Sequence, residues 1–175
     1  MPGDEPRRLF FALWPDDAVR HALLHWQTHN LPSDVRWQHR ADLHLTLHFL
    51  GAVERERLDA LIGVGERFEG AAFGLVLDEI GHWPRPRVVW CAPSSIPAEL
   101  SGFHQVLGSA LAAAGFAIDS RPYRPHITLA RRVAEPLPHS PLEPLSWTVR
   151  HWALVESVPG AVPAYRVLRR WTLDE

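Results

Sequence analysis

The sequence contains no lysine; all 18 of its basic residues are arginine. That absence removes every mechanism in which a lysine amine reacts. A P-loop lysine, a Schiff base and the adenylated lysine of an ATP-dependent nucleic-acid ligase are all excluded. Cysteine is nearly absent as well, and the single Cys91 allows neither an intramolecular disulfide nor a cysteine-rich zinc site. No Gly-x-Ser-x-Gly nucleophile elbow occurs. No stretch approaches the roughly 18 apolar residues of a membrane span. The apolar run Leu9 to Trp14 is too short for a signal peptide and is cut by Pro15. Excess charge is missing too: the net value is −2, so no strong global field draws in long nucleic acid. A short or small anionic substrate is the easier fit. A cytoplasmic monomer with no membrane partner is expected.

What is present is histidine, eleven in all, and two of them stand in the same tetrapeptide context. His44-Leu45-Thr46-Leu47 and His126-Ile127-Thr128-Leu129 are both His-x-Thr-Leu, with the histidines 82 positions apart. Composition alone gives roughly 0.3 occurrences of His-x-Thr, so one copy would be weak evidence and two are strong. Each copy lies in a short apolar, β-branched run (Leu43 to Leu50; Ile127 to Ala130) that reads as a buried strand. Side chains alternate along a strand, so His44 and Thr46 share one face, and His126 and Thr128 likewise. Two such strands facing each other offer two imidazoles and two hydroxyls to one phosphate.

Histidine titrates near pH 6.5, so one of the pair can be neutral while the other is protonated. In-line displacement at phosphorus needs that combination: a base for the attacking water and an acid for the departing oxygen. The threonines can hold the non-bridging oxygens. The arrangement requires no metal and no cofactor, and a cyclic phosphodiester suits it. A bell-shaped pH dependence with limbs near 6 to 8 is expected.

The rest of the chain, 175 residues and 46% hydrophobic, reads as one compact domain over residues 1–175, or two small lobes sharing a core. A strand spans Arg8 to Trp14. A helix capped by Asp16 or Asp17 runs to about Gln27, with Ala18, Val19, Leu23 and Leu24 inward. Val35 to Gln38 is a short strand, and Gly51 breaks the strand of the first motif. Glu54 to about Phe68 is a helix; Phe73 to Ile80 and Val88 to Cys91 are strands around a turn at residues 81–86. Pro97 to Ala114 is the clearest helix, with Leu100, Phe103, Leu107 and Leu111 on one face and Gly115 as its C-terminal cap. Glu135 to Pro144 is a proline-rich loop. Trp147 to Glu156 and Tyr165 to Leu173 are the last strands. Nothing resembles a doubly wound parallel sheet. The expectation is α+β: two mostly antiparallel sheets flanking a cleft, with helices on the outer faces.

At the level of residues the chain resembles the two-histidine (2H) phosphoesterases, and among them the bacterial and archaeal RNA 2′,3′-cyclic phosphodiesterases, also called 2′-5′ RNA ligase-like proteins. The likeness runs through Arg8-Leu9-Phe10-Phe11-Ala12-Leu13, His44 to Gly51, Trp83 to Trp90, Pro125 to Arg131 and Leu154 to Ser157. It implies a bilobal fold and hydrolysis of RNA 2′,3′-cyclic phosphate ends to 2′-phosphomonoesters, with weak reversal to a 2′-5′ linkage. RNA ends, or small nucleotides with a cyclic phosphate, would be the substrates. It also implies roles that near-symmetric motifs cannot assign alone: His44 as proton donor, His126 as proton acceptor, and Arg131 beside Thr46 and Thr128 on the phosphate.

Other residues carry weaker expectations. Strict alternation puts Arg131 on the face opposite His126, so it reaches the cleft only if the strand ends or bulges near Ala130. His48 departs from the small residue usual there; its parity with His44 places it beside the cleft as a strand-end polar residue rather than a third catalytic group. His21, His25 and His29 recur at helical spacing and read as a solvated face. Trp37, Trp83 and Tyr123 are candidate stacking platforms, and Arg85, Arg87, Arg121 and Arg124 a candidate basic rim. The competing readings are a 2H enzyme for an ADP-ribose cyclic phosphate or 2′-5′ oligoadenylate, and a non-catalytic RNA-end binder. A zinc hydrolase lacks a helical His-Glu-x-x-His.

Overall fold

A computed structural model describes residues 5–175 of the chain. Strand β1 (Arg7–Leu13) is apolar on both faces because it is covered on both. Leu9, Phe11 and Leu13 enter the main core, whereas Phe10 and Ala12 join Trp14, Ala153 and Val155 in a smaller cluster on the opposite face. Helix α1 (Asp17–Asn30) follows at once, and the Asp16 carboxylate accepts the Val19 N–H at 3.0 Å to cap it. Such a cap contributes about 1 kcal/mol. The inward face of α1 is Val19, Leu23 and Trp26 together with buried Arg20 and Gln27; Ala18, expected inward, is exposed. The helix continues past Gln27, with His21, His25 and His29 on its exposed side.

The remaining elements are β2 (Arg36–Trp37), β3 (Leu45–Val53), α2 (Leu58–Arg67), β4 (Phe73–Leu77), β5 (Glu79–Trp83), β6 (Val88–Ala92), α3 (Ala98–Ala113), β7 (Ile127–Arg131), β8 (Leu145–Val149), β9 (His151–Ser157) and β10 (Tyr165–Thr172). The fold is α+β, with three helices against a large antiparallel sheet and a small second one. Two runs expected as single strands are each cut in two. The first breaks at Asp78 and the second at Arg150, and their outer pieces β4 and β8 pair with each other as the separate small sheet. Residues 81–83, expected as turn, belong to β5, leaving the turn to residues 84–87. Gly51 does not end β3. At φ +68° it adopts the left-handed conformation that a bulge at Leu50 requires, and the strand resumes to Val53.

The large sheet runs β10-β9-β1-β3-β7-β6-β5, with β2 also beside β7. Its halves, β10-β9-β1-β3 and β7-β6-β5 with β2, meet at a single paired position, Leu45 with Ile127. Leu45 and Ile127 lie fully buried in the main core, with Leu23 of α1, Leu61 of α2 and Leu107 of α3. The helices therefore cover the side of the sheet to which these residues point. The residues flanking them along each strand face the other way, into the cleft where the two halves diverge.

Candidate active site

His44 and His126 each immediately precede a strand, β3 and β7. One antiparallel step either side of the Leu45–Ile127 pairing puts His44 alongside Thr128 and Thr46 alongside His126. The four motif side chains are thus gathered at one crossing point, all half-buried. Both imidazoles are held the same way. His44 Nδ1 bonds the Asp42 carbonyl at 2.7 Å, and His126 Nδ1 bonds the Arg124 carbonyl at 2.8 Å, in each case two residues upstream. A carbonyl only accepts, so Nδ1 carries the proton and Nε2 is left for chemistry. His44 Nε2 lies 3.1 Å from the Thr46 hydroxyl.

Aromatic rings fix the imidazole planes. His44 sits among Phe10 (4.8 Å between centroids), Tyr165 (4.9 Å, edge-on) and Trp14 (6.0 Å, stacked). Trp83 meets His126 edge-on at 4.6 Å and rests in turn against Trp90 at 5.1 Å. Trp90 can lie flat there because its cross-strand partner is Gly81, where a Cβ would fall 2.1 Å from the indole. Burial pushes the His44 pKa down to about 4, against the Asp42 carbonyl bond; the charges of His126 and Arg131 lower it further. Burial also lowers His126, opposed by its bond to Arg124 and reinforced by Arg131. In the free protein both imidazoles are therefore neutral at pH 7.

Two bulges reset the faces of the motif strands. Ala12 pairs with Thr46 and Phe11 with His48, so Leu47 is an extra residue in β3. Trp90 pairs with Thr128 and Val89 with Ala130, so Leu129 is an extra residue in β7. The bulge falls at the same place in both motifs, the residue after threonine. Beyond it parity is inverted. His48 borders the cavity beside the motifs, as expected, but it leans onto the helix side: it is 4% exposed and its Nε2 bonds the His104 carbonyl on α3 at 2.8 Å. Arg131 turns the other way, toward the motif side chains. Its charge acts on both imidazoles, and the strand has the bulge that this position requires.

Each bulge is held from elsewhere in the chain. The Tyr123 hydroxyl donates to the Thr46 carbonyl at 2.8 Å. The Gln27 amide, fully buried on α1, donates to the Leu129 carbonyl at 2.9 Å and the Gln38 carbonyl at 3.0 Å.

A family model described as the 2′-5′ RNA ligase superfamily matches residues 15–160. The chain belongs to that superfamily. It is 35% identical to the RNA 2′,3′-cyclic phosphodiesterase of Escherichia coli (strain K12), an alignment covering 98% of this chain and 99% of the relative. The enzyme of the same name from Thermus thermophilus is 36% identical over 95% of this chain and 90% of that one. A crystal structure of E. coli LigT complexed with 3′-AMP superposes with a TM-score of 0.88, at 35% identity and over 98% of this chain and 100% of that one. Another, complexed with NADP+, gives 0.86 at 35% identity, over 98% and 99%.

Within this superfamily member, a cavity of about 600 Å³ opens beside the motifs, lined by Thr46, Phe49, Trp83, Tyr123, Arg124 and His126. Trp83 and Tyr123, expected as platforms, do border it. Trp37 does not: it pairs with Ala130 and packs on the main core. Of the expected basic rim, Arg121 and Arg124 line the cavity, with Arg121 ion-paired to Asp119. Arg85 and Arg87 stand on the exposed turn between β5 and β6. Three contributors gave no sequence signal. Asp42, 4% exposed, accepts the N–H groups of Ala164 (2.8 Å) and Tyr165 (3.0 Å) and so holds the Tyr165 ring on His44. Gln27 and His104 act through carbonyls and stacking, which no motif spells. The thiol of Cys91 is fully buried and pushed up to about 12, leaving it inert.

Proposed function

We propose that this chain is an RNA 2′,3′-cyclic phosphodiesterase that opens the cyclic phosphate to a 2′-phosphomonoester by general acid–base catalysis. The observation that carries this reading is the pairing of Leu45 with Ile127, which sets two His-x-Thr units face to face with both Nδ1 atoms engaged and both Nε2 atoms free of backbone. Water attacks phosphorus in line as His126 Nε2 accepts its proton. The P–O3′ bond breaks while protonated His44 delivers a proton to O3′ from Nε2. Thr46, Thr128 and Arg131 hold the non-bridging oxygens, and Arg131 compensates the charge that grows on them. With a 5′-hydroxyl in place of water, the same proton transfers and the same P–O3′ cleavage on a cyclic end form a 2′-5′ linkage.

The low pKa of His44 fits an acid whose proton arrives with the substrate. A phosphodiester anion between the imidazoles offsets the burial and the Arg131 charge, raising His44 into its protonated form. The test is incubation with a nucleoside 2′,3′-cyclic phosphate in EDTA, with the product isomer identified. A 2′-phosphate product supports the reading. The 3′-isomer, or complete dependence on added metal, overturns it.

A further inference from the structure

The cleft face of the sheet continues well beyond the motifs. Cross-strand register runs Thr46, Ala12, Ala153, Arg170 from β3 to β10, so Arg170 stands at the sheet's far edge on the face that carries Thr46. Trp14 bridges the two regions. It stacks on His44 at 6.0 Å, and the Arg20 guanidinium lies over its ring at 4.9 Å. Beyond Trp14 a second cavity, of about 520 Å³, is lined by Arg20, Arg40 and Arg170 and by Asp16 and Asp17.

Arg20 is built into this cavity. Its residue is 6% exposed, its Nε donates to the Pro15 carbonyl at 3.1 Å, and its Nη1 donates to the Arg40 carbonyl at 2.8 Å. Its Nη2 is buried without a partner. Carbonyls satisfy donors but do not balance the charge, which in a buried position is costly. Burial pushes the Arg20 pKa down to about 10; Asp17 and Asp42 oppose this, while Arg170 and Arg40 add to it, and both Asp42 oxygens are already spent on the Ala164 and Tyr165 N–H groups. Among the described residues neither Arg20, Arg40 nor Arg170 has an ion pair, and Asp16 spends a carboxylate oxygen on the cap of α1. Three arginines against two carboxylates, one donor unfilled and one wall shared with His44: this is a site for an anion.

We infer that the Arg20–Arg40–Arg170 cavity holds a second phosphate of the substrate, an internal phosphodiester of an RNA strand whose cyclic end lies between the histidines. The inference rests on the nucleotide-end reading above and adds that the preferred substrate is an oligonucleotide. A strand leaving the motif crossing past Trp14 meets Arg170 on the same face and Arg20 and Arg40 where the cavity reaches the end of the sheet. Arg supplies planar, paired donors to phosphate oxygens, which an uncharged wall would not.

The test uses the full chain and two exposed positions, Arg40→Gln and Arg170→Gln, which leave the Arg20 hydrogen bonds to carbonyls intact. Hydrolysis of a nucleoside 2′,3′-cyclic phosphate is compared with that of an oligoribonucleotide ending in the same group. For the double variant, kcat/KM on the oligonucleotide should fall by about tenfold or more, against less than about twofold on the mononucleotide. Binding of a fluorescent oligoribonucleotide with a 3′-phosphate end gives an arm independent of turnover. Its log–log salt slope should shrink by about 0.7 on losing one phosphate contact. Equal losses on both substrates, no loss on the oligonucleotide, or an unchanged salt slope would overturn the inference. Inorganic phosphate at the same site without an oligonucleotide effect would reduce it to a free-anion site and overturn the strand assignment. If the wild type turned over neither substrate, the proposed activity would fail while the binding arm still decided this one.

Discussion

Phe49 and Arg131 occupy equivalent places: each is the fifth residue after a motif histidine, and each returns to the cleft face because a bulge intervenes. Phe49 is 49% exposed, pairs with Phe10 and borders the cavity beside the motifs. The duplicated scaffold therefore offers one cationic and one apolar corner. Arg131→Ala should lower kcat/KM by roughly 10- to 150-fold, the 1.5–3 kcal/mol of a hydrogen bond to a charged group. Arg131→Lys should recover only part of this, since a point charge lacks the planar fork. Steady-state kinetics on a cyclic nucleotide checks it, and a variant at wild-type rate would remove Arg131 from the phosphate.

The histidines should separate by role. His44→Ala and His126→Ala should each lose at least about 10² in turnover with the fold retained. If His44 is the acid, as proposed, a substrate with a much better leaving group should rescue His44→Ala and barely help His126→Ala. Rescue of the opposite variant would exchange the roles. Thr46→Ala and Thr128→Ala should lose less, roughly 1–3 kcal/mol of transition-state stabilisation each, because in the proposed mechanism they hold the phosphate without moving protons.

The two pH profiles should differ. The kcat/KM profile reports the free protein, in which burial holds both imidazoles below 6.5, His44 at about 4. Its bell should therefore lie on the acid side of neutrality, below the limbs near 6 to 8 that unperturbed histidines give. The kcat profile reports the complex, where the bound anion raises both groups, so its limbs should sit higher. With both groups acting on one phosphate, as proposed, the limbs belong to the pair. Superimposable profiles would mean that the substrate does not recharge the site.

The sequence made the four motif side chains legible because their arrangement is local: a period of two, written twice. It gave His48 its place beside the cavity but not its bond to α3, and for Arg131 it could state only the condition, because the bulges that turn them are held over long separations. Tyr123 is 77 positions from Thr46, and Gln27 is 102 from Leu129. The strand breaks at Asp78 and Arg150 were hidden for a related reason. Apolar residues continue on both sides of each break, the phase slipping by one from Phe73, Leu75 and Leu77 to Ile80 and from Trp147 and Val149 to Trp152 and Leu154, and the separate pairing of β4 with β8 divides the runs. On α1, Arg20 and Gln27 are buried because distant carbonyls receive their donors, against the preference of an inward helix face for apolar residues.

Gln27 supports a direct test of the bulge at Leu129. Gln27→Leu fills the space but removes both amide bonds, and should cost about 1–3 kcal/mol of stability by chemical denaturation. If it aims Arg131 by holding the Leu129 carbonyl at the bulge, its activity loss should overlap that of Arg131→Ala. In the double variant the two effects should be less than additive. Full additivity would make Gln27 a packing residue unrelated to the site.

The last expectation concerns stability away from the reaction. His104 is stacked between His48 (4.1 Å, 15°) and Tyr123 (3.7 Å, 13°), in a ring ladder that ends at the Thr46 carbonyl. Burial pushes the His104 pKa down to about 4, with the charge of His48 adding to it; burial also lowers His48. Unfolded, both titrate near 6.5. Between pH 6.5 and about 4 the unfolded chain then binds more protons than the folded one, so stability must fall as pH falls through that window and stay level above it. His44 and His126 act in the same direction. His104→Phe keeps a ring in the ladder and the backbone carbonyl that His48 bonds, but removes one titrating group. Its Tm should therefore decline less steeply than wild type between pH 6.5 and 4.5, the two curves running parallel above pH 7. Equal slopes throughout would show that His104 is already solvated enough to titrate in the folded protein, and that the ladder does not sense pH.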